Sequence, residues 1–221
     1  GDVYKRQTYT MQSSDNTGVI PFTVDFSDMA NNTGTQVTAV ANDSDGGVTF
    51  DKQAPSFTTV TMSSNNSTST LAIVNDVITI NLTSDEAIKA GSDPTISVNG
   101  NTATVTRNST TSFTATYTMS SPADDAVDGS SIPINISAYT DATGNAGTTV
   151  TATTDGSSVT YDKTLPTLGT VTIASDNTYD HLATTGNEIT LTIVSSENIN
   201  TPTVSMLGAT TGVTVTQGAD A

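Results

Sequence analysis

The chain of 221 residues contains no cysteine and no tryptophan, only six lysines and arginines together, and a single histidine. Each shortage excludes something. Without Cys there are no disulfides, no zinc–thiolate sites and no thiol catalysis. With aromatics at 5% and Trp absent, a large aromatic core is out of reach, and the exposed stacking platform of a sugar-binding module is poorly supplied, since the few Tyr and Phe mostly fall at strand positions. One histidine, His181, without triad or metal-binding partners in its neighbourhood reads as an exposed loop residue rather than a catalytic base. The 22 acids against six bases, a net charge of −16, disfavour a nucleic-acid partner and favour divalent cations as counter-charge. No signal peptide or membrane-spanning apolar run occurs, which in a slice of a longer array carries no information on location.

What the chain has in abundance is Thr, roughly one residue in five, followed by Ser, Asn, Asp, Gly and Val. Thr and Val favour pleated strands, and a thin β-sandwich needs only one alternating apolar face per sheet. The chain also repeats itself. VTFDKQAP at Val48–Pro55 returns as VTYDKTLP at Val159–Pro166, with Asp51 and Asp162 separated by 162 − 51 = 111 residues. The match runs on without a gap, pairing Thr58–Asn66 with Gly169–Asn177 and Val77–Ile88 with Glu188–Ile199. A period of that length is a domain and not a solenoid turn.

Two further matches fix the phase. TYTM at Thr8–Met11 corresponds to TYTM at Thr116–Met119, and IPFTVDFSD at Ile20–Asp28 corresponds to IPINISAYTD at Ile132–Asp141 after one inserted residue. Residues 1–52 are thus expected to be the back half of a repeat, 53–163 a complete one, and 164–221 the front half of the next. The first seven residues, GDVYKRQ, do not match their repeat counterpart and read either as translated adapter sequence or as a divergent start to a strand.

Within the complete repeat, short alternating runs separated by turn residues predict seven strands: A at 56–63, B at 76–83, C at 95–99, D at 102–107, E at 112–120, F at 132–139 and G at 148–161. In B, Ile78, Ile80 and Leu82 share one face; in F, Ile132, Ile134, Ile136 and Ala138 are expected inward. Asn99-Gly100 is a hairpin signal between C and D. No stretch has a helical period.

YTDATGNAG at Tyr139–Gly147, its weaker copy SDMANNTG at Ser27–Gly34, and the linkers FDKQAP and YDKTLP give the chain its family character. With seven strands in about 110 residues, it resembles the bacterial immunoglobulin-like tandem repeats of giant extracellular adhesins, stalks and filaments. The resemblance implies an all-β fold of immunoglobulin-like seven-stranded β-sandwiches, one complete and two partial, located outside the cell or on its surface. It also implies calcium bound between domains, since related repeats commonly hold calcium there.

The strand order places three segments at one pole of such a sandwich: the linker with Asp51, the B–C loop with Asp85 and Glu86, and the F–G loop with Asp141 and Asn145. Their oxygens are hard ligands on flexible loops, which suits calcium better than magnesium or a transition metal. Asp51 recurs as Asp162 and Glu86 as Glu197, Asp85 is replaced by Ser196, and Asp141 and Asn145 have counterparts in Asp28 and Asn32. The competing reading is that Asp and Asn make Asx-turns and that the linker Asp is a solvated charge beside Lys52 or Lys163. An isopeptide crosslink through either Lys is disfavoured by its linker position. Asn-x-Ser/Thr matches, among them those beginning at Asn31, Asn66, Asn81, Asn108 and Asn135, are at chance level in so Asn- and Thr-rich a chain.

The expectation is a non-enzymatic extender repeat. Its partners are neighbouring copies, head to tail, with residues 164–221 of one completed by residues 8–51 of the next, because each half alone exposes apolar faces and strand edges. Each repeat adds roughly 40 Å, from strands of about eight residues rising about 3.4 Å each plus loops. The alternatives are an immunoglobulin-like module binding a surface glycan or protein, and an accessory domain of a secreted hydrolase.

Overall fold

A computed structural model describes residues 5–40, 46–124, 127–208 and 213–216. Its described part is all-β, with several antiparallel sheets and no α-helix. The strands are β1 (Gly18–Val19), β2 (Thr49–Phe50), β3 (Phe57–Ser64), β4 (Leu71–Ala72), β5 (Val77–Ser84), β6 (Thr95–Val98) and β7 (Asn101–Thr102). They continue with β8 (Thr104–Arg107), β9 (Ser112–Thr118), β10 (Ser130–Ser131), β11 (Ile134–Ser137), β12 (Thr160–Tyr161), β13 (Leu168–Ser175) and β14 (Ile189–Ser195). Two compact units result, residues 1–162 and 163–221, so that residues 8–51 cluster with the complete repeat.

The core belongs to the complete repeat: among the described residues, the buried hydrophobic cluster runs from Phe57 to Tyr161. One sheet has the order β3-β5-β9-β8, the other β11-β6-β7, with Val150 bridging Ile136 on the outer side of β11. Ile78, Ile80 and Leu82 of β5, Ile96 and Val98 of β6, and Phe113 and Ala115 of β9 are all at most 1% exposed and belong to one cluster with Val60 and Ile136. Their intervening Thr and Asn residues point outward, as period-2 alternation requires, and the arrangement is consistent with a β-sandwich. Expected strand D is divided at Ala103: Asn101 and Thr102 pair with β6, whereas Thr104–Arg107 pair with β9. Asn99 (φ 49°) and Gly100 (φ 77°) form the left-handed pair at the turn between β6 and β7, where Asn-Gly is the favoured dipeptide.

Expected strand F needs one correction. Ile132, Ile134 and Ile136 are buried, but Ala138 is exposed and lies in the left-handed region (φ 57°), and Tyr139 takes the inward position instead. Ala138 is the residue inserted relative to the copy at Ile20–Asp28. A residue added to a strand would throw every later side chain to the other face, and the left-handed kink absorbs it. Tyr139 packs against Phe57 with ring centroids 4.7 Å apart, and its hydroxyl donates to Thr148 O at 2.7 Å.

Expected strand G is corrected further. Only Val150 and β12 within 148–161 make β-bridges, because Asp155-Gly156 turns the chain, with Ser157 N donating to Asp155 Oδ1 at 3.0 Å. The segment nevertheless protects the edge of β3, since the hydroxyls of Thr154 and Ser157 accept the Val60 and Met62 N–H groups at 2.9 and 2.8 Å. Side-chain oxygens stand in for a ladder.

Segment 8–51 keeps the internal pairings of its counterpart: β1–β2 matches β10–β12, and the Val24–Val37 bridge matches Ile136–Val150. Thr8–Gln12, expected as strand E, forms no strand. Its counterpart β9 is held between β5 and β8, and residues 8–51 contain no equivalent of either. In the second unit β13 and β14 pair over seven positions in the register of β3 and β5. Expected strand C is unformed over 200–205, and the described residues 213–216 in the region of expected strand D form no strand, the rest of that region, 209–212 and 217–221, lying outside the described residues.

Gly147 offers a local check. A Cβ built there would fall inside the Tyr139 ring, and one at Gly34 would fall inside the equivalent Phe26 ring. Tyr139 is 1% exposed and cannot retreat, whereas Phe26 is 52% exposed and can. Gly147→Ala is therefore expected to cost about 1–3 kcal/mol by overpacking, and Gly34→Ala little. Equal effects on the melting temperature would contradict this account.

Candidate metal centre

The pole predicted from strand order forms. The F–G loop closes on itself through an Asx motif: Asp141 Oδ1 accepts the N–H groups of Gly144 and Asn145 at 2.6 and 2.8 Å, and Oδ2 accepts Asn145 Nδ2 at 2.7 Å. Gly144 sits at φ 102°, and the equivalent Asn31 at φ 68°, which is why these positions carry Gly and Asn. Asn145 Nδ2 also reaches Asp51 O at 3.3 Å, tying the loop to the linker. The B–C loop is bound to the same pole by the Ile88–Asp141 bridge and by Lys89 N donating to Thr140 O at 2.9 Å. Arg107 steadies it from the other side, donating to Ile88 O and Lys89 O, pairing with Asp93 and lying 4.8 Å from the Phe113 ring centroid.

Carboxylate oxygens of Asp51, Glu86 and Asp141 consequently lie within 4.8 Å of one another. The three differ in how they are satisfied. Asp141, 2% exposed, is pushed up by burial, but donors from Asn145, Thr143 and Gly144 outweigh that and leave it below the usual carboxylate range. Asp51 Oδ1 accepts the N–H of Gln53 at 2.9 Å. Glu86 Oε1 is buried with no hydrogen-bond partner. Burial, then the charges of Asp51, Asp141 and Asp85, push the Glu86 carboxyl upward. A buried carboxylate oxygen without a donor, facing two further carboxylates, is the arrangement a hard cation would satisfy.

The other expected ligands lie elsewhere. Asp85 turns away to accept the N–H and hydroxyl of Ser56 at 2.8 and 2.9 Å, which holds its pKa below the usual range. Ser196, its replacement, does the same for Thr167 N at 2.9 Å. In both copies the side chain at this position is an acceptor for the first strand's backbone. Asn145 is a donor to Asp141 and the linker. Asp28 and Asn32 repeat the Asx loop, with Asp28 accepting Ala30 N, Asn32 N and Asn32 Nδ2 at 2.9, 2.8 and 2.7 Å, without a gathered acidic triad among the described residues. Asp162, at the end of the first unit, donates its N–H to Ala72 O at 2.9 Å. Glu197, in the second, repeats the local geometry of Glu86: its Oε1 is buried without a partner, and Ser195 Oγ donates to its carbonyl at 2.5 Å as Ser84 does to that of Glu86. Lys52 does not serve Asp51, since its Nζ donates to Ser13 O and Asp15 O at 3.1 and 2.8 Å. His181 is exposed, its Nδ1 3.4 Å from Asp180 Oδ1.

One polar centre escaped the sequence reading. Asp124 is fully buried and accepts from Asn99 Nδ2, Asn101 Nδ2, the Tyr117 hydroxyl and Ser120 N, at 3.1, 3.2, 3.0 and 2.7 Å. It locks the β6–β7 turn to the end of β9. The signal was available in the TYTM match, because Tyr9 binds Asp15 and Gln12 N donates to Asp15 in the same way. A loop one residue shorter hid it.

No protein-family model matches the chain, and no curated protein or solved structure matches it either.

Proposed function

We propose that the chain is a non-enzymatic structural extender: tandem immunoglobulin-like repeats of a long extracellular adhesin or filament, joined end to end and stiffened by calcium at the junctions. The immunoglobulin-like reading is supported by the sheet orders. Strands 57–64, 77–84, 112–118 and 104–107 stand in the order A-B-E-D, and 101–102, 95–98, 134–137 and Val150 in the order C′-C-F-G. The observation that carries the calcium reading is the convergence of Asp51, Glu86 and Asp141 from the linker and two loops, with Glu86 Oε1 buried and undonated. A cation held there would bind the linker to the repeat. Without it, three carboxylates repel across the joint.

Small-angle scattering of the chain in calcium and in chelator tests this function. Calcium is expected to lengthen and narrow the distribution of maximum dimensions, and Glu86→Gln in calcium should scatter like the native chain in chelator. Superimposable curves for the native chain under both conditions would overturn the stiffening role.

A further inference from the structure

We propose that the complete repeat bears tensile load along its long axis, through a clamp in which its first and last strand segments are cross-linked in parallel. This rests on the end-to-end reading, in which the flanking segments pull on the repeat at Gln53 and Lys163, and it does not depend on calcium. Five backbone hydrogen bonds make the clamp. Val60 N donates to Thr154 Oγ1 at 2.9 Å, Thr154 N to Val60 O at 2.8 Å, and Met62 N to Ser157 Oγ at 2.8 Å. Further along, Thr160 N donates to Thr70 O and Asp162 N to Ala72 O, each at 2.9 Å, in the parallel β4–β12 pair. Positions 60, 62, 70 and 72 therefore meet 154, 157, 160 and 162 in the same ascending order. Ala72, Val159 and Tyr161, between and beside these bonds, are all 0% exposed.

Parallel order decides how force is spread. Tension enters the first strand at its start and leaves the last segment at its end, so it drives the two in opposite directions along their own axes. The bonds between them are then strained together. β3 and β5, by contrast, are antiparallel from Phe57–Ser84 to Ser64–Ile78, and a pull across them from the Phe57 end opens one rung at a time. The turn at Asp155-Gly156 takes the last segment out of a regular ladder, yet the Thr154 and Ser157 hydroxyls keep acceptors on the edge of β3. They preserve the clamp where backbone carbonyls have left it. Each bond that must break slows unfolding about fivefold, so an axial load facing five at once is slowed roughly 500-fold relative to a transverse load facing one.

The test is single-molecule pulling on the full chain in chelator, using introduced cysteines as handles, which the absence of native Cys makes unique. Gln53→Cys with Leu165→Cys loads the repeat axially. Gln53→Cys with Thr110→Cys, in the β8–β9 turn that Ile88 N ties to the same pole, loads it across the sheet. At one constant force the axial pair is expected to unfold roughly 500-fold more slowly than the transverse pair. Adding Thr154→Val and Ser157→Ala removes two of the five bonds, and should speed axial unfolding about 25-fold while leaving the transverse rate unchanged. A loss of stability alone speeds both directions. Equal rates along the two directions in the native background, or a double variant that accelerates both alike, would overturn the proposal. Both handle pairs exclude Asp51 and calcium is absent, so a failed clamp and a failed stiffening response are separate results.

Discussion

Saturating calcium is expected to raise the main melting transition by about 10 °C over the same chain in chelator. The size follows from linkage: a ligand at about 100 times its dissociation constant adds about 2.7 kcal/mol to the native state, and about 1 kcal/mol moves a domain of this length by roughly 4 °C. Glu86→Gln separates a metal effect from a merely acidic surface. Burial and three neighbouring carboxylates raise the Glu86 pKa in the fold, so the native state holds that proton more tightly than the unfolded chain. The resulting stability is complete below the unfolded value of about 4.3 and is lost as pH rises through the higher folded value. At neutral pH the ionised Glu86 therefore weakens the metal-free protein, and Glu86→Gln should melt higher than the native chain in chelator while responding little to calcium. Asp141 and Asp85 act in the opposite direction. Their folded pKa values are lowered, so their contribution is present above about 3.9 and disappears as pH falls through those lower values. A chelator-insensitive melting curve, with Glu86→Gln no more stable than the native chain, would remove the cation.

How much of this was legible depended on whether a residue's job is local. Ile78, Ile80 and Leu82 announce a half-buried strand because period-2 alternation is a property of the strand itself, and all three are at most 1% exposed. The stretch 148–161 alternates as well, yet Asp155 and Gly156 turn it, and Thr154 and Ser157 spend their hydroxyls on the edge of β3. Thr in quantity cannot reveal whether it will pack as a β-branched residue or act as a hydroxyl acceptor. Ala138 shows the converse. The sequence contains one extra residue relative to Ile20–Asp28, but only the backbone identifies which residue takes the left-handed conformation.

The site was half legible for a related reason. Strand order alone brings Asp51, Glu86 and Asp141 to one pole, and those three do meet. Asp85 stands beside Glu86 in sequence and appears equivalent to it, but adjacent residues at a strand end point in different directions. Its replacement by Ser196 was informative, since a serine can accept the Thr167 N–H but is a poor substitute for an anionic ligand. Substitution between internal copies thus carried chemical information. A similar exchange occurs in the A–B loop, where Val77 N donates to Asn65 and Ile73 N to Asp76, while Glu188 N donates to Asp176 and Thr184 N to Asn187. Each copy keeps one amide and one carboxylate, with their positions reversed.

Asp124→Ala is expected to have the other large effect, lowering the melting temperature by more than about 10 °C. The carboxylate is fully buried and accepts from two Asn amides, a Tyr hydroxyl and a backbone N–H. Hydrogen bonds to a charged group contribute about 1.5–3 kcal/mol each, and donors left without a partner in a buried site cost about 1–3 kcal/mol. Partial rehydration of the half-exposed Asn99, Asn101 and Tyr117 brings the net loss to about 3 kcal/mol, converted at roughly 4 °C per kcal/mol. Asp124→Asn keeps one acceptor oxygen and should recover part of it. The copy supplies the control, because Asp15 accepts from Tyr9 and Gln12 N in the same arrangement, but Tyr9 is 70% exposed. Water can replace that acceptor, so Asp15→Ala should leave the melting temperature nearly unchanged. If the two alanine variants lowered it equally, burial would not be what gives Asp124 its weight, and the lock between the β6–β7 turn and β9 would have to be assigned to the packing of Tyr117 alone.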